Sequence, residues 1–91
     1  MKQVIIDCAA MNSREQLQET LARELAFPQW YGHNLDALHD CLTELGEDTQ
    51  LILTGWKALQ ETLGDYAPKL IFVLHRSSEE NPHFRVELES E

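Results

Sequence analysis

"FPQWYGHNLDALHDCL", residues 27–42, is the stretch on which the reading of this chain turns. It opens as a proline-bounded aromatic loop, running from about residue 26 to 33, and closes as the start of a helix. Asn34 is a favoured N-cap, Asp36 sits in the first turn where the helix dipole favours negative charge, and Gly46 follows as a stop. The spacing predicts a helix over about 34–45. At about 100° per residue, Leu35, Leu38, Cys41, Leu42 and Leu45 gather on one side, and Asp36, His39, Asp40, Thr43 and Glu44 on the other. One face belongs to a core and the other to water. Asp36 and Asp40, one turn apart, repel each other unless something cationic is present, at a cost of a few tenths of a kcal/mol. The polar face is thus either a solvated surface or a surface built to meet positive charge. Trp30 and Tyr31, just upstream, read the same two ways: as exposed aromatics of an interface or as lids on the core.

Upstream of the loop, "NSREQLQETLARELAF" is a helix, with Ser13 and Gln16 as a capping box and Leu17, Leu21 and Leu25 recurring every fourth residue. Pro28 is expected to end it. "QVIID" (3–7) and "QLILT" (50–54) read as fully buried strands, and "WKALQETL" (56–63) as a short helix closed by Gly64, with Trp56 a core candidate. "DYAPKLIFVLHRSSEE" (65–80) is harder, because "LIFVL" has strand propensity. Asp65 as a cap, Pro68 in the first turn and the length favour a helix. "HFRVELE" (83–89) alternates Phe84, Val86 and Leu88 with charged residues, the pattern of a strand with one buried face. Strands separated by helices imply a small parallel α/β sheet.

Composition limits what such a domain can do. Ninety-one residues suffice for one domain with a single core, and 7 basic against 16 acidic side chains give a net charge of −9. That charge repels phosphate backbones and anionic membranes, so direct nucleic-acid or membrane binding is not expected; it serves solubility alone or a basic partner. Cys8 and Cys41 match no disulfide framework or metal spacing and suit a reducing compartment. The apolar run in "MKQVIIDCAA" is too short for a signal peptide, which leaves the cytoplasm as the expected location. The terminal "ESE" is expected to fray. His39, Asp40 and Cys41 are consecutive, so their side chains diverge around the helix and form no catalytic relay. Asp36, His39 and Asp40 lack a fourth ligand for a metal, and the 4 glycines are scattered, so no phosphate-cradling loop exists. Neither an enzyme nor a cofactor or metal protein is expected.

"ELAFPQWYGHNLDALHDCLTEL", residues 24–45, resembles the barstar family, intracellular inhibitors of the secreted ribonuclease barnase. From residue 20 to 56 the likeness lies in the residues themselves, elsewhere in length and order of elements. The resemblance implies a single domain over 1–91: a three-stranded parallel sheet packed by about four helices, with the second helix and its preceding loop plugging the active-site cleft of a small basic ribonuclease. Asp40 would stand where an RNA phosphate sits, and Asp36 would pair with further cations. Trp30 would stack on the enzyme, Tyr31 and Gly32 match outright, and Asn34, Thr43, Glu44, His39 and Glu80 fall along the same partner-binding surface. The role implied is an immunity protein, monomeric when free, that performs no chemistry. His39 and Leu45 replace aromatic residues of the family pattern, and Arg76 falls about where an acidic contact lies, so the partner is expected to differ from barnase. The competing expectation is an acidic module of the same fold that binds a basic protein other than a nuclease.

Overall fold

The computed structural model describes residues 1–89; the last two positions of "ESE" lie outside the described residues. Strands β1 (Lys2–Asp7), β2 (Thr49–Thr54) and β3 (Phe84–Leu88) form one parallel sheet in the order β1-β2-β3. Four helices connect them: α1 (Arg14–Glu24) and α2 (Leu35–Thr43) before β2, α3 (Trp56–Leu63) and α4 (Tyr66–Glu80) before β3. A single 3₁₀ turn, Cys8–Ala10, follows β1 and was not foreseen in the sequence. The α/β class and the barstar-like arrangement are therefore as expected, and "LIFVL" lies within α4.

Parallel neighbours require crossovers, and crossovers are right-handed, so two successive steps in the same direction bring all four helices to one face of the sheet. The burial pattern agrees. Val4, Ile6, Thr49, Leu51, Leu53 and Phe84 are buried beneath the helices. Along the other face Gln3, Ile5, Arg85 and Glu87 are exposed and Gln50 and Ile52 half-buried. The expectation that "QVIID" and "QLILT" are buried on both faces is thus corrected: Ile5 is 62% exposed. The hydrophobic runs misled because only one face has helices to cover it. In β3 the predicted alternation holds at Phe84, fades at Val86 and ends at Leu88, which is exposed near the sheet's end.

The helices meet over the sheet through Leu17, Leu21, Leu38, Leu42, Leu59, Leu70 and Leu74. Trp56 is only half-buried and packs against the margin of this core. Gly55 is obligatory at its position. It holds φ +66° at the turn into α3, and a Cβ there would lie 2.8 Å from the backbone nitrogen and the Cβ of Ala9.

Several helix ends differ from expectation. α1 closes at Ala26, whose φ is +56°: the Ala26 N–H donates to the Arg23 carbonyl at 3.3 Å and the Phe27 N–H to the Ala22 carbonyl at 2.9 Å. This is a Schellman closure with alanine in the glycine position, and it acts before Pro28 is reached. At the start of α1 Ser13 Oγ accepts from the Gln16 N–H, yet the Gln16 side chain accepts from the Asn12 N–H, one residue earlier than a capping box requires. Asp65 precedes α4 with helical dihedrals and makes no side-chain cap bond. α2 ends at Thr43, short of Gly46, for a reason that lies elsewhere in the chain and is described next.

Candidate functional site

The site is assembled on α2, whose two ends are fixed by polar contacts. At its start Asn34 Oδ1 accepts from the Ala37 N–H at 2.7 Å, and the Asn34 amide donates to the Gly32 carbonyl at 3.2 Å. Gly32 allows this closeness, since a Cβ there would sit 3.1 Å from the Asn34 Nδ2. At its end the buried side chain of Asn81 donates to the Leu42 carbonyl at 2.8 Å and the Leu45 carbonyl at 3.0 Å. Asn81 lies just past α4, so the carbonyls left open by a helix end are satisfied from 36 or more residues away. That is why α2 stops without using Gly46.

The loop before α2 is anchored through Tyr31. Of the two readings left open for Tyr31, burial holds: it is only 4% exposed. Its hydroxyl donates to the Gln18 side-chain oxygen, and the Gln18 amide donates to the Tyr66 hydroxyl at 2.6 Å. Gln18 is itself buried in α1, and the Arg14 guanidinium lies over the Tyr66 ring at 5.5 Å. Burial raises the Tyr31 phenol well above its ordinary range and raises that of Tyr66. Both therefore serve the loop as neutral hydrogen-bonding groups. The Tyr31 ring packs between those of Phe27 and His33, with centroids 4.9 and 5.1 Å away. Trp30 next to it is 70% exposed.

Between α2 and α4 runs a groove of about 360 Å³. Leu35, Asp36, His39 and Asp40 form the α2 wall, and Phe72, Val73 and Arg76 the α4 wall. Both aspartates are exposed, Asp40 with 73% of its side chain in solvent. Among the described residues neither carboxylate has a lysine or arginine within ion-pair distance; the only contact is His39 Nδ1, 3.8 Å from Asp40 Oδ1. His39 turns its other nitrogen to Glu80, 3.2 Å from each carboxylate oxygen, and the Arg76 Nε–H donates to Glu80 Oε2 at 3.0 Å. These two bonds, that from His39 first, hold the Glu80 carboxyl below its ordinary value of 4.5.

The remaining candidates distribute unevenly. The Thr43 hydroxyl donates to the His39 carbonyl of its own helix at 2.9 Å, so it is half-buried and occupied. Glu44 is exposed at the C-cap of α2. Trp30, Thr43 and Glu44 lie outside the groove, whereas Asp36, His39 and Asp40 are brought together in it. Phe72 escaped notice in the sequence because it stands within an apolar run. Its signal was positional: Leu70 and Leu74 are buried one turn apart and Phe72, between them, falls off their stripe and is 62% exposed. Asn81 carried no signal beyond its type.

Cys8 and Cys41 are buried free thiols, and burial with Asp7 nearby pushes Cys8 up to about 11, so neither is a poised nucleophile. Among the described residues no three His, Cys, Asp or Glu side chains converge on a metal position, and no helix is long and apolar enough to cross a membrane.

Comparison with known proteins joins these features. The chain matches the family model described as Barstar (barnase inhibitor) over residues 1–89. It is 37% identical over 81 residues to the "Putative ribonuclease inhibitor YrdF" of Bacillus subtilis (strain 168), covering 88% of this chain and 89% of that protein. A segment of 51 residues, 56% of this chain, is 43% identical to part of an arginine–tRNA ligase of Methanospirillum hungatei JF-1, of which it covers 9%. With the family match spanning all the described residues, and with three parallel strands, four helices and a capped α2 edged by an acidic groove, this chain belongs to the barstar family.

Proposed function

We propose that this protein inhibits a basic ribonuclease by laying the acidic surface of α2 and its preceding loop into the cleft that otherwise holds RNA phosphates. The observation that carries the reading is the pair of exposed carboxylates, Asp36 and Asp40, sharing one groove while, among the described residues, no lysine or arginine lies within ion-pair distance of either. An unpaired, preorganised carboxylate pair is an acceptor for the arginine and lysine groups that grip a phosphodiester. The family and the YrdF relative support a ribonuclease partner, and the net charge of −9 supports a basic one. Inhibition here is occupation. Asp40 stands in for a phosphate, the exposed Trp30 covers neighbouring enzyme surface, and no bond is made or broken. Burial of Cys8 and Cys41 supports an inhibitor without chemistry of its own.

The test is inhibition of RNA cleavage by barnase and a panel of other basic ribonucleases, measured against ionic strength. Binding that depends on charge weakens as salt shortens the Debye length from about 10 Å at 0.1 M to about 3 Å at 1 M. The reading predicts inhibition of at least one enzyme, a steep loss with salt, and abolition by the double variant Asp36→Asn, Asp40→Asn. Inhibition of none, or inhibition indifferent to salt and to both substitutions, overturns it. In that event a pull-down that returned a basic protein without nuclease activity would favour the competing module reading.

A further inference from the structure

The groove carries two signs of charge. Its α2 wall presents Asp36 and Asp40, while its α4 wall presents Arg76, which is 62% exposed. A guanidinium has five N–H donors. One of them, Nε–H, goes to Glu80, and among the described residues the terminal nitrogens have no acceptor. Glu80 is in turn bonded to His39, so the chain His39–Glu80–Arg76 ties the arginine across the two helices instead of leaving it to wave in solvent. Phe72 lies one turn before Arg76, exposed and in the same wall. An apolar ring beside a half-used guanidinium displaces water from whatever that guanidinium binds, which strengthens the contact.

A surface meant only for cations would gain nothing from Arg76. A uniformly basic occupant reaching Asp36 and Asp40 would meet a like charge across the groove, and such a clash is how a site rejects wrong partners. We infer that Arg76 sets the specificity of this groove by demanding a carboxylate from its occupant: the ribonuclease partner presents an acidic side chain to Arg76, beside the cationic group received by Asp36 and Asp40. The inference rests on the inhibitor reading for the nature of the partner, and on the groove alone for its charge pattern. The planar fork of arginine suits a bidentate carboxylate, and the Phe72 ring in the same wall would exclude water from the pair.

Two peptide probes test it without requiring the enzyme. N-acetyl-Arg-Gly-Glu-amide and N-acetyl-Arg-Gly-Arg-amide are titrated into the isotopically labelled protein at low salt, following the Arg76 Nε–H, the Phe72 ring and the Asp36 and Asp40 carboxyl signals by NMR. The Arg-Gly-Glu peptide is expected to move all four residues. Arg76→Gln, at an exposed position where the spectrum itself reports an intact fold, is expected to lower the affinity ratio of the Arg-Gly-Glu to the Arg-Gly-Arg peptide by about 1.5- to fivefold, the range for exposed charge-assisted pairs. Arg76→Glu lowers it further. A ratio that falls by less, or an Arg-Gly-Glu peptide that leaves Arg76 and Phe72 unmoved, overturns the inference. Failure here with ribonuclease inhibition intact removes only the specificity role; preference intact with no ribonuclease inhibited removes the inhibitor reading instead.

Discussion

Two polar regions border α2, and they are opposites. Beneath the helix and its loop, Gln18, Tyr31, Tyr66 and Asn81 are paired with one another or with backbone, and no buried side-chain polar atom among the described residues lacks a partner. On the outer surface Asp36 and Asp40 stand exposed and, among the described residues, unpaired by any lysine or arginine. A buried polar group without its partner costs the full desolvation penalty, so the inner region is committed to stability. A solvated carboxylate costs the fold almost nothing, which leaves the outer region available for recognition. One short helix therefore serves structure on one side and, on the inhibitor reading, binding on the other, so the two can be damaged separately.

The largest effect that would separate them is at Asp40. Asp40→Ala should weaken the complex with an inhibited ribonuclease by about 3–5 kcal/mol, the cost of removing one partner from a desolvated charge pair. Its thermal midpoint should stay near that of the native chain, since exposed substitutions change stability by about 0.5 kcal/mol or less. A large loss of stability would erase the distinction. Asn81→Ala should do the reverse, destabilising by about 2–3 kcal/mol in urea unfolding because two carbonyls at the end of α2 lose their donor. Tyr31→Phe should cost about 1–2 kcal/mol, since the Gln18 oxygen is left buried without its donor. If it instead weakened ribonuclease binding with stability unchanged, Tyr31 would belong to the outer region after all.

Smaller effects sharpen the picture. Ala26→Gly should stabilise the chain by up to about 1 kcal/mol, because glycine occupies the left-handed region without the penalty paid by a Cβ. The same variant should leave ribonuclease inhibition unaltered. The last prediction concerns pH. Glu80 is lowered from 4.5 by His39 and Arg76, and Asp48 from 3.8 chiefly by its bond to His83 at 2.7 Å. A carboxyl depressed in the folded state stabilises the fold above its unfolded value, and that contribution is lost as pH falls through the folded value. Glu80→Gln and Asp48→Asn should each lower stability slightly at pH 6 and not at all near pH 2, as urea titrations at the two pH values would show. Both groups are exposed, so this is the smallest of the effects.

Much of the fold was legible locally. The leucine spacing of α1, the Asn34 cap and two-faced pattern of α2, and the β-rich runs separated by helices depend on near neighbours, and each appears where the residues place it. The acidic side of α2 was equally legible, because 100° per residue is a property of any helix. What the residues left open turned on partners distant in sequence. Trp30 and Tyr31 are adjacent aromatics with the same local credentials, yet one is exposed and the other buried. Gln18, delivered by α1 from 13 positions away, takes the hydroxyl of Tyr31 and, among the described residues, has no counterpart at Trp30. "QVIID" looked buried on both faces because its composition cannot reveal that all the helices lie on one side of the sheet.

Sequence by itself determined the elements, their order, the family and the charge of the α2 face, since these follow from periodicity, capping and residue type. Tertiary structure alone decided that α2 ends on Asn81, that Tyr31 anchors the loop, and that Phe72 and Arg76 of α4 form the second wall of the groove. The reason is physical: burial, capping across a gap and the sharing of a groove are relations between segments, and they exist only once long-range packing has brought those segments together.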